Sequence, residues 1–155
     1  MLDFDHRFES LGYSLGEVSP PAAIYKAAVV VGNVVYCSGA VPVSGGKLMY
    51  EGKVHSEVSI EDAKRSAALC AANNLRQVYS AVGSLGRIAR VVRLTGFVNS
   101  DPGFTDQHLI INGASELLRE VFGDAGVGAR SAVGVASLPL GSATETELIV
   151  ELRPE

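Results

Sequence analysis

An α+β fold, a mixed sheet with two helices packed on one face, follows from the order in which two periodicities alternate along this chain. Period-two runs at Tyr25–Ser38, Val91–Asn99, Arg130–Ser137 and Thr144–Leu152 read as strands. Apolar stripes at helical spacing cover Ile60–Val82 and most of Thr105–Phe122. The resulting order is hairpin, helix, strand, helix and two closing strands. A chain of 155 residues is one domain's worth and buries about 68–70% of its unfolded surface. It divides into an N-terminal extension with linker, 1–20, and a single domain, 21–155.

Phe4, Phe8 and Leu11 recur at near-helical spacing within Leu2–Leu15 and predict a short helix lying on the domain. Glu17-Val18-Ser19-Pro20-Pro21 ends it as a stiff linker, because proline cannot continue a helix and restricts the residue before it. Tyr25–Val31 and Val34–Ser38 make a hairpin about Gly32-Asn33. Ser44-Gly45-Gly46-Lys47 is a second turn, without the trailing Gly-Lys-Ser/Thr of a phosphate loop. Ser59, with Asp62 three residues on, forms an N-terminal capping pair for a helix over Ile60–Val82 that stops before Gly83. Its stripe of Ala63, Ala67, Cys70, Ala71, Leu75, Val78 and Val82 is core, and the small residues at its start predict close packing on a sheet.

Arg87, Arg90 and Arg93 would form a basic stripe on a helix. On a strand, the period of two puts Arg90 opposite the other two, and the β-rich run from Val91 favours strand. Asp101-Pro102-Gly103 turns into the second helix, whose buried face is Ala114, Leu117, Leu118 and Val121. Asn112-Gly113 falls inside it, where glycine costs about 1 kcal/mol relative to alanine. Such a glycine marks either a close backbone approach or an irregular helix start. Gly123–Gly128 loops into the closing strands.

Hydrophobic residues at 47% with 19% charged describe a globular chain. A net charge of −4 and a pI near 5.4 argue against a nucleic-acid surface. No apolar run approaches the ~18 residues of a membrane span, and MLDFDHRFES is too acidic for a signal peptide. Cys37 and Cys70 lack metal-ligand spacing and predict two buried thiols in a reducing, cytoplasmic setting. His6, His55 and His108 stand in unrelated contexts, so no metal site is expected. There is no HExxH, paired CxxC, GxSxG or dinucleotide fingerprint. A Cys37 or Ser38 nucleophile would want a histidine base held by a third group, and no such constellation appears.

The chemistry concentrates in the last two strands. Alternation puts Arg130, Ala132, Gly134 and Ala136 on one face of the first, and Ser131, Val133, Val135 and Ser137 on the other. The valine face reads as core; the arginine face, with little bulk, is the uncovered one that a ligand or neighbouring chain can approach. After the Leu138-Pro139-Leu140-Gly141 turn, Thr146, Leu148, Val150 and Leu152 share one face, and Glu145, Glu147 and Glu151 the other. If the strands pair, or meet across an interface, Arg130 and Glu145 flank one pocket. The competing reading is a surface arginine beside a solvated acidic face. An arginine fork binds a carboxylate through two charged hydrogen bonds of about 1.5–3 kcal/mol each. Arg130 is therefore a credible anchor for a small carboxylic acid.

RSAVGVASLPLG followed by ETELIVEL resembles the C-terminal signature of the Rid family, also called YjgF or L-PSP. Gly32-Asn33-Val34-Val35-Tyr36-Cys37-Ser38-Gly39 is similar to that family's GN-apolar-SG hairpin, and VVRLTGFVN, Val91–Asn99, to the strand before its last helix. The resemblance runs from Tyr25 to Leu152. It implies the chorismate-mutase-like fold, a homotrimer with sites between subunits, and cofactor-free hydrolysis of 2-enamine and 2-imine acids to 2-keto acids and ammonia. It implies that Arg130 binds the substrate carboxylate and Glu145 positions or activates water. By the same resemblance Tyr25, Ser38, Gly39, Asn112 and Ala132 line the pocket. Well-known members carry cysteine where this chain has Ala132, which removes a thiol mechanism there and leaves its backbone N–H. The extension, with a longer segment before Asn112, resembles a larger-bodied branch often labelled as an endoribonuclease. Two alternatives therefore stand beside the deaminase: a non-catalytic binder of small carboxylates, and a ribonuclease or translation inhibitor, against which the acidic charge weighs.

Overall fold

The computed structural model describes residues 3–18 and 20–155. Leu2 and Ser19, parts of the expected first helix and linker, lie outside them. Helix α1 spans Phe4–Ser10, its first turn capped by the Asp3 carboxylate accepting from the His6 N–H at 2.9 Å. Phe4 and Phe8 are buried, and Phe4 meets Phe122 edge-on at 4.9 Å between ring centroids. Leu11 follows the helix as its C-cap and is exposed, so the expected apolar face rests on two residues rather than three.

The first hairpin is β1, Ala28–Val31, with β2, Val34–Cys37; the strand expected from Tyr25 begins three residues later. A small hairpin follows, β3 over Val43–Ser44 and β4 over Lys47–Leu48. Helix α2 covers Ile60–Val82, as the periodicity predicts; the Ser59 hydroxyl accepts from the Asp62 N–H, and Gly83 closes it in the left-handed region at φ 86°. Strand β5 is Ile88–Asn99, helix α3 Gln107–Phe122, strand β6 Ala129–Val135 and strand β7 Thr144–Leu152. The basic stripe dissolves: Arg90 pairs with Glu151 at 2.6 Å, and Arg93 donates to the Ser131 hydroxyl at 2.7 Å. Gly113 marks a close approach, since a Cβ there would lie 2.0 Å from the Lys64 carbonyl oxygen of α2.

The sheet order is β1-β2-β7-β5-β6, with β5 and β6 parallel and every other pair antiparallel. The two closing strands do not pair. A parallel neighbour requires a crossover, here α3, and that leaves β5 between β6 and β7.

Helices α2 and α3 cover the face carrying Val35, Val91, Leu94, Val98, Leu148 and Val150, all buried. On β7 the alternation holds: Thr144, Thr146, Leu148 and Val150 face the helices, while Glu147 is exposed. On β6 it inverts. Arg130, Ala132 and Gly134 register with Leu94, Gly96 and Val98 on the helix side, and Val133 is exposed on the open face. The expected arrangement, a valine core face with Arg130 on the uncovered side, is thereby corrected. The cause is space: a Cβ at Gly96 would lie 2.5 Å from Ile111, and one at Gly134 2.7 Å from the Gln107 amide. At these two positions beneath α3 there is no room for a side chain.

Candidate functional site

Three acceptors on α3 fix Arg130. Its Nη1 donates to Asn112 Oδ1 at 2.9 Å and to Ser115 Oγ at 3.1 Å, and its Nη2 donates to the His108 carbonyl at 3.1 Å. Positions 108, 112 and 115 are four and three apart, hence on one helix face. A guanidinium has five N–H groups. Among the described residues, Nε–H and one Nη2 N–H find no acceptor, which leaves two charged donors for a ligand. Ala132 is half-buried next along the same face, opposite Gly96.

Glu145 is placed by a different element. Its neighbours Thr144 and Thr146 are fully buried against α2. Thr144 shares a hydrogen bond with the Ser66 hydroxyl at 2.7 Å and lies 3.4 Å from the Cys70 sulfur; the Thr146 hydroxyl donates to Asn74 Oδ1 at 2.7 Å. Ser66, Cys70 and Asn74 are spaced by four, so one polar seam of α2 holds β7 and turns the Glu145 side chain to the opposite, open face. There it is half-buried, and its carboxyl is pushed above the ordinary range, first by burial and then by Glu147. Gly39 lies against it, since a Cβ at that position would sit 2.8 Å from Glu145 Oε1. Ser38 is tied back by its hydroxyl, which donates to the Lys26 carbonyl at 2.5 Å, and by its carbonyl, which accepts from Asn74 Nδ2 at 3.1 Å. Tyr25 is exposed and shares a cavity lining with Gly39.

The seven expected residues thus fall into two groups. Tyr25, Ser38, Gly39 and Glu145 gather where β2 leaves the sheet beside β7, whereas Arg130, Asn112 and Ala132 gather between β6 and α3. Glu145 and Arg130 occupy opposite faces of the sheet, separated by β5, so one chain does not bring them into one pocket. Sequence reasoning missed Ser115 and His108, although their spacing from Asn112 was a readable signal. It also missed Asn74, a polar side chain inside an otherwise apolar stripe. Burial pushes both thiols up to about 12, which keeps Cys37 and Cys70 protonated and unreactive. Among the described residues, no three His, Cys, Asp or Glu side chains are grouped to hold a metal ion, and no helix is long and apolar enough to cross a membrane.

The fold is that of a small α+β protein, with an arginine fork at one sheet edge and a half-buried carboxyl on the open face. The chain belongs to the family described as "YjgF/chorismate mutase-like, putative endoribonuclease", whose profile matches residues 5–152. Protein TCP17 of Trypanosoma cruzi is 39% identical over 145 residues, 93% of this chain and 91% of its own length. The crystal structure of Atu1372, a protein of unknown function from Agrobacterium tumefaciens, is 44% identical with a TM-score of 0.90, covering 98% of this chain and 94% of that one. A "putative endoribonuclease" from Shewanella oneidensis is 30% identical with a TM-score of 0.91, covering 96% of this chain and 99% of that one.

Proposed function

We propose that this protein hydrolyses small 2-imine and 2-enamine carboxylic acids to 2-keto acids and ammonia. Arg130 holds the carboxylate, and Glu145 directs water to the imine carbon. An enamine first tautomerises to the imine. Water adds to the protonated imine to give a carbinolamine, as Glu145 takes the proton released and returns it to nitrogen. The C–N bond then breaks, and the hydroxyl proton departs with the ammonia as ammonium. Such imines hydrolyse unaided, so orientation and charge stabilisation supply the acceleration needed. The observation carrying the reading is the Arg130 fork, clamped by α3 on one side with two N–H groups left over.

Because Arg130 and Glu145 lie on opposite faces, the reading requires a second copy: Glu145 of one chain meets Arg130 of the next. A head-to-tail contact that closes into a ring joins such half-sites, and the family resemblance gives the number three. Exposed Val29, Tyr36 and Val133 make the open sheet face suitable for cover by a neighbour. The word endoribonuclease in the family's and relatives' names is less well supported here. Three glutamates on the open face, with a net charge of −4, suit RNA poorly.

The test is a coupled assay in which 2-aminoacrylate or 2-iminobutyrate is generated in situ and keto acid is followed. Pure wild-type protein should speed its formation. Arg130→Ala should lose at least about a hundredfold in kcat/KM, from two charged hydrogen bonds of about 1.5–3 kcal/mol each. Arg130→Lys should recover little, since a point charge does not replace the planar fork. No acceleration by the wild type would remove the reading.

A further inference from the structure

Beside Gly39 lies a cavity of about 140 Å³, close to the size of engineered cavities that hold benzene. Its apolar walls come mainly from two stretches: Val18, Pro20 and Ala22 of the linker and the residues just after it, and Ala40, Val41 and Val43 of the segment that leaves β2. Two of the polar groups that also line it, Arg76 and Asn73, are engaged with protein. Arg76 donates to the Ser14 carbonyl at 2.7 Å, to Asn73 Oδ1 at 2.7 Å and to Glu17 Oε2 at 3.0 Å. Asn73 in turn donates to the carbonyls of Val41 and Val43 at 2.9 and 3.0 Å. The extension is not loosely laid, because Glu17 also accepts from the Ser44 hydroxyl and the Gly45 N–H. An occupant is therefore offered mainly apolar walls, with the Tyr25 hydroxyl and the Gln77 amide beside them. Gly39 lines this cavity and also abuts the Glu145 carboxylate, so the cavity lies next to the group that directs water in the proposed reaction.

Resting on the deaminase reading, we propose that this cavity receives the substrate's side chain. The enzyme then selects imine acids with a branched or aromatic side chain, such as those from leucine or phenylalanine, over the imine from alanine. Nothing in the alanine-derived compound reaches the walls, so the contacts that orient the larger imines are absent from it. The linker and the residues just after it, through Val18, Pro20 and Ala22, form the specificity-determining element.

The experiment supplies imines from alanine, leucine and phenylalanine with an L-amino-acid oxidase and measures kcat/KM for each on the full chain. The leucine- or phenylalanine-derived imine should exceed the alanine-derived one by at least about tenfold, the usual worth of filling an apolar pocket. Ala22→Phe, which fills the cavity from its rim, should bring that ratio close to one; a circular dichroism melt confirms that the variant folds. Equal rates for all three imines, or a ratio unmoved by Ala22→Phe, would overturn the selectivity while leaving the deaminase reading in place. Failure to accelerate any of the three would remove both.

Discussion

Gly39 offers the cleanest test at the scale of single residues. An alanine methyl there would fall 2.8 Å from Glu145 Oε1, the far end of a flexible side chain rather than backbone. The carboxylate should swing aside at little cost to the fold. Gly39→Ala should therefore lose about ten- to a hundredfold in kcat, the scale expected for a misplaced catalytic group, while stability stays within about 0.5 kcal/mol of wild type. A large loss of stability would mean that Gly39 serves backbone packing instead. The pH profile gives a second test. In the proposed mechanism Glu145 acts as a base only when ionised, and burial followed by the Glu147 charge raises its pKa above the ordinary 4.5. A raised pKa keeps the inactive, protonated form to higher pH, so the acid limb of kcat/KM should lie above the ordinary carboxylate range. Glu147→Gln removes a like charge and should move that limb toward acid; a limb that moves the other way, or not at all, contradicts the assignment.

The polar seam between α2 and β7 is the feature to test among the elements. Asn74 accepts from Thr146 and donates to the Ser38 carbonyl, so it fixes β7 and the end of β2 together. Removing it leaves the buried Thr146 hydroxyl and the part-buried Ser38 carbonyl without this partner, each costing about 1–3 kcal/mol. Asn74→Ala should lower unfolding stability by about 2–4 kcal/mol in a urea titration with an unchanged m-value. A loss below about 0.5 kcal/mol would mean the seam does not hold the strand. Helix α2 was readable in full, bounds included, because cap, stripe and terminal glycine agree. Strand β6 was not. Its small, arginine-bearing face looked uncovered, yet that face lies under α3. Alternation reveals which residues share a side and not which side a helix will choose; here the close approach of α3 at Gly96 made the choice, a contact distant in sequence.

Across the whole molecule, the sheet order separates what the sequence placed side by side. The fifteen-residue interval from Arg130 to Glu145 suggested adjacent strands, but the parallel β5–β6 pair puts a third strand between them. The candidate residues were legible as types; their division into two half-sites was not, because it depends on a crossover whose strand order periodicity does not encode. The account consequently stands on the joining of half-sites from different chains. Co-expressing Arg130→Ala with Glu145→Gln chains and assaying the purified mixed oligomers tests this most directly. Each variant alone should be inactive. If neighbouring chains contribute one residue each, random mixing in a closed ring restores about a quarter of wild-type activity; mixed oligomers as inactive as either variant would contradict the shared site.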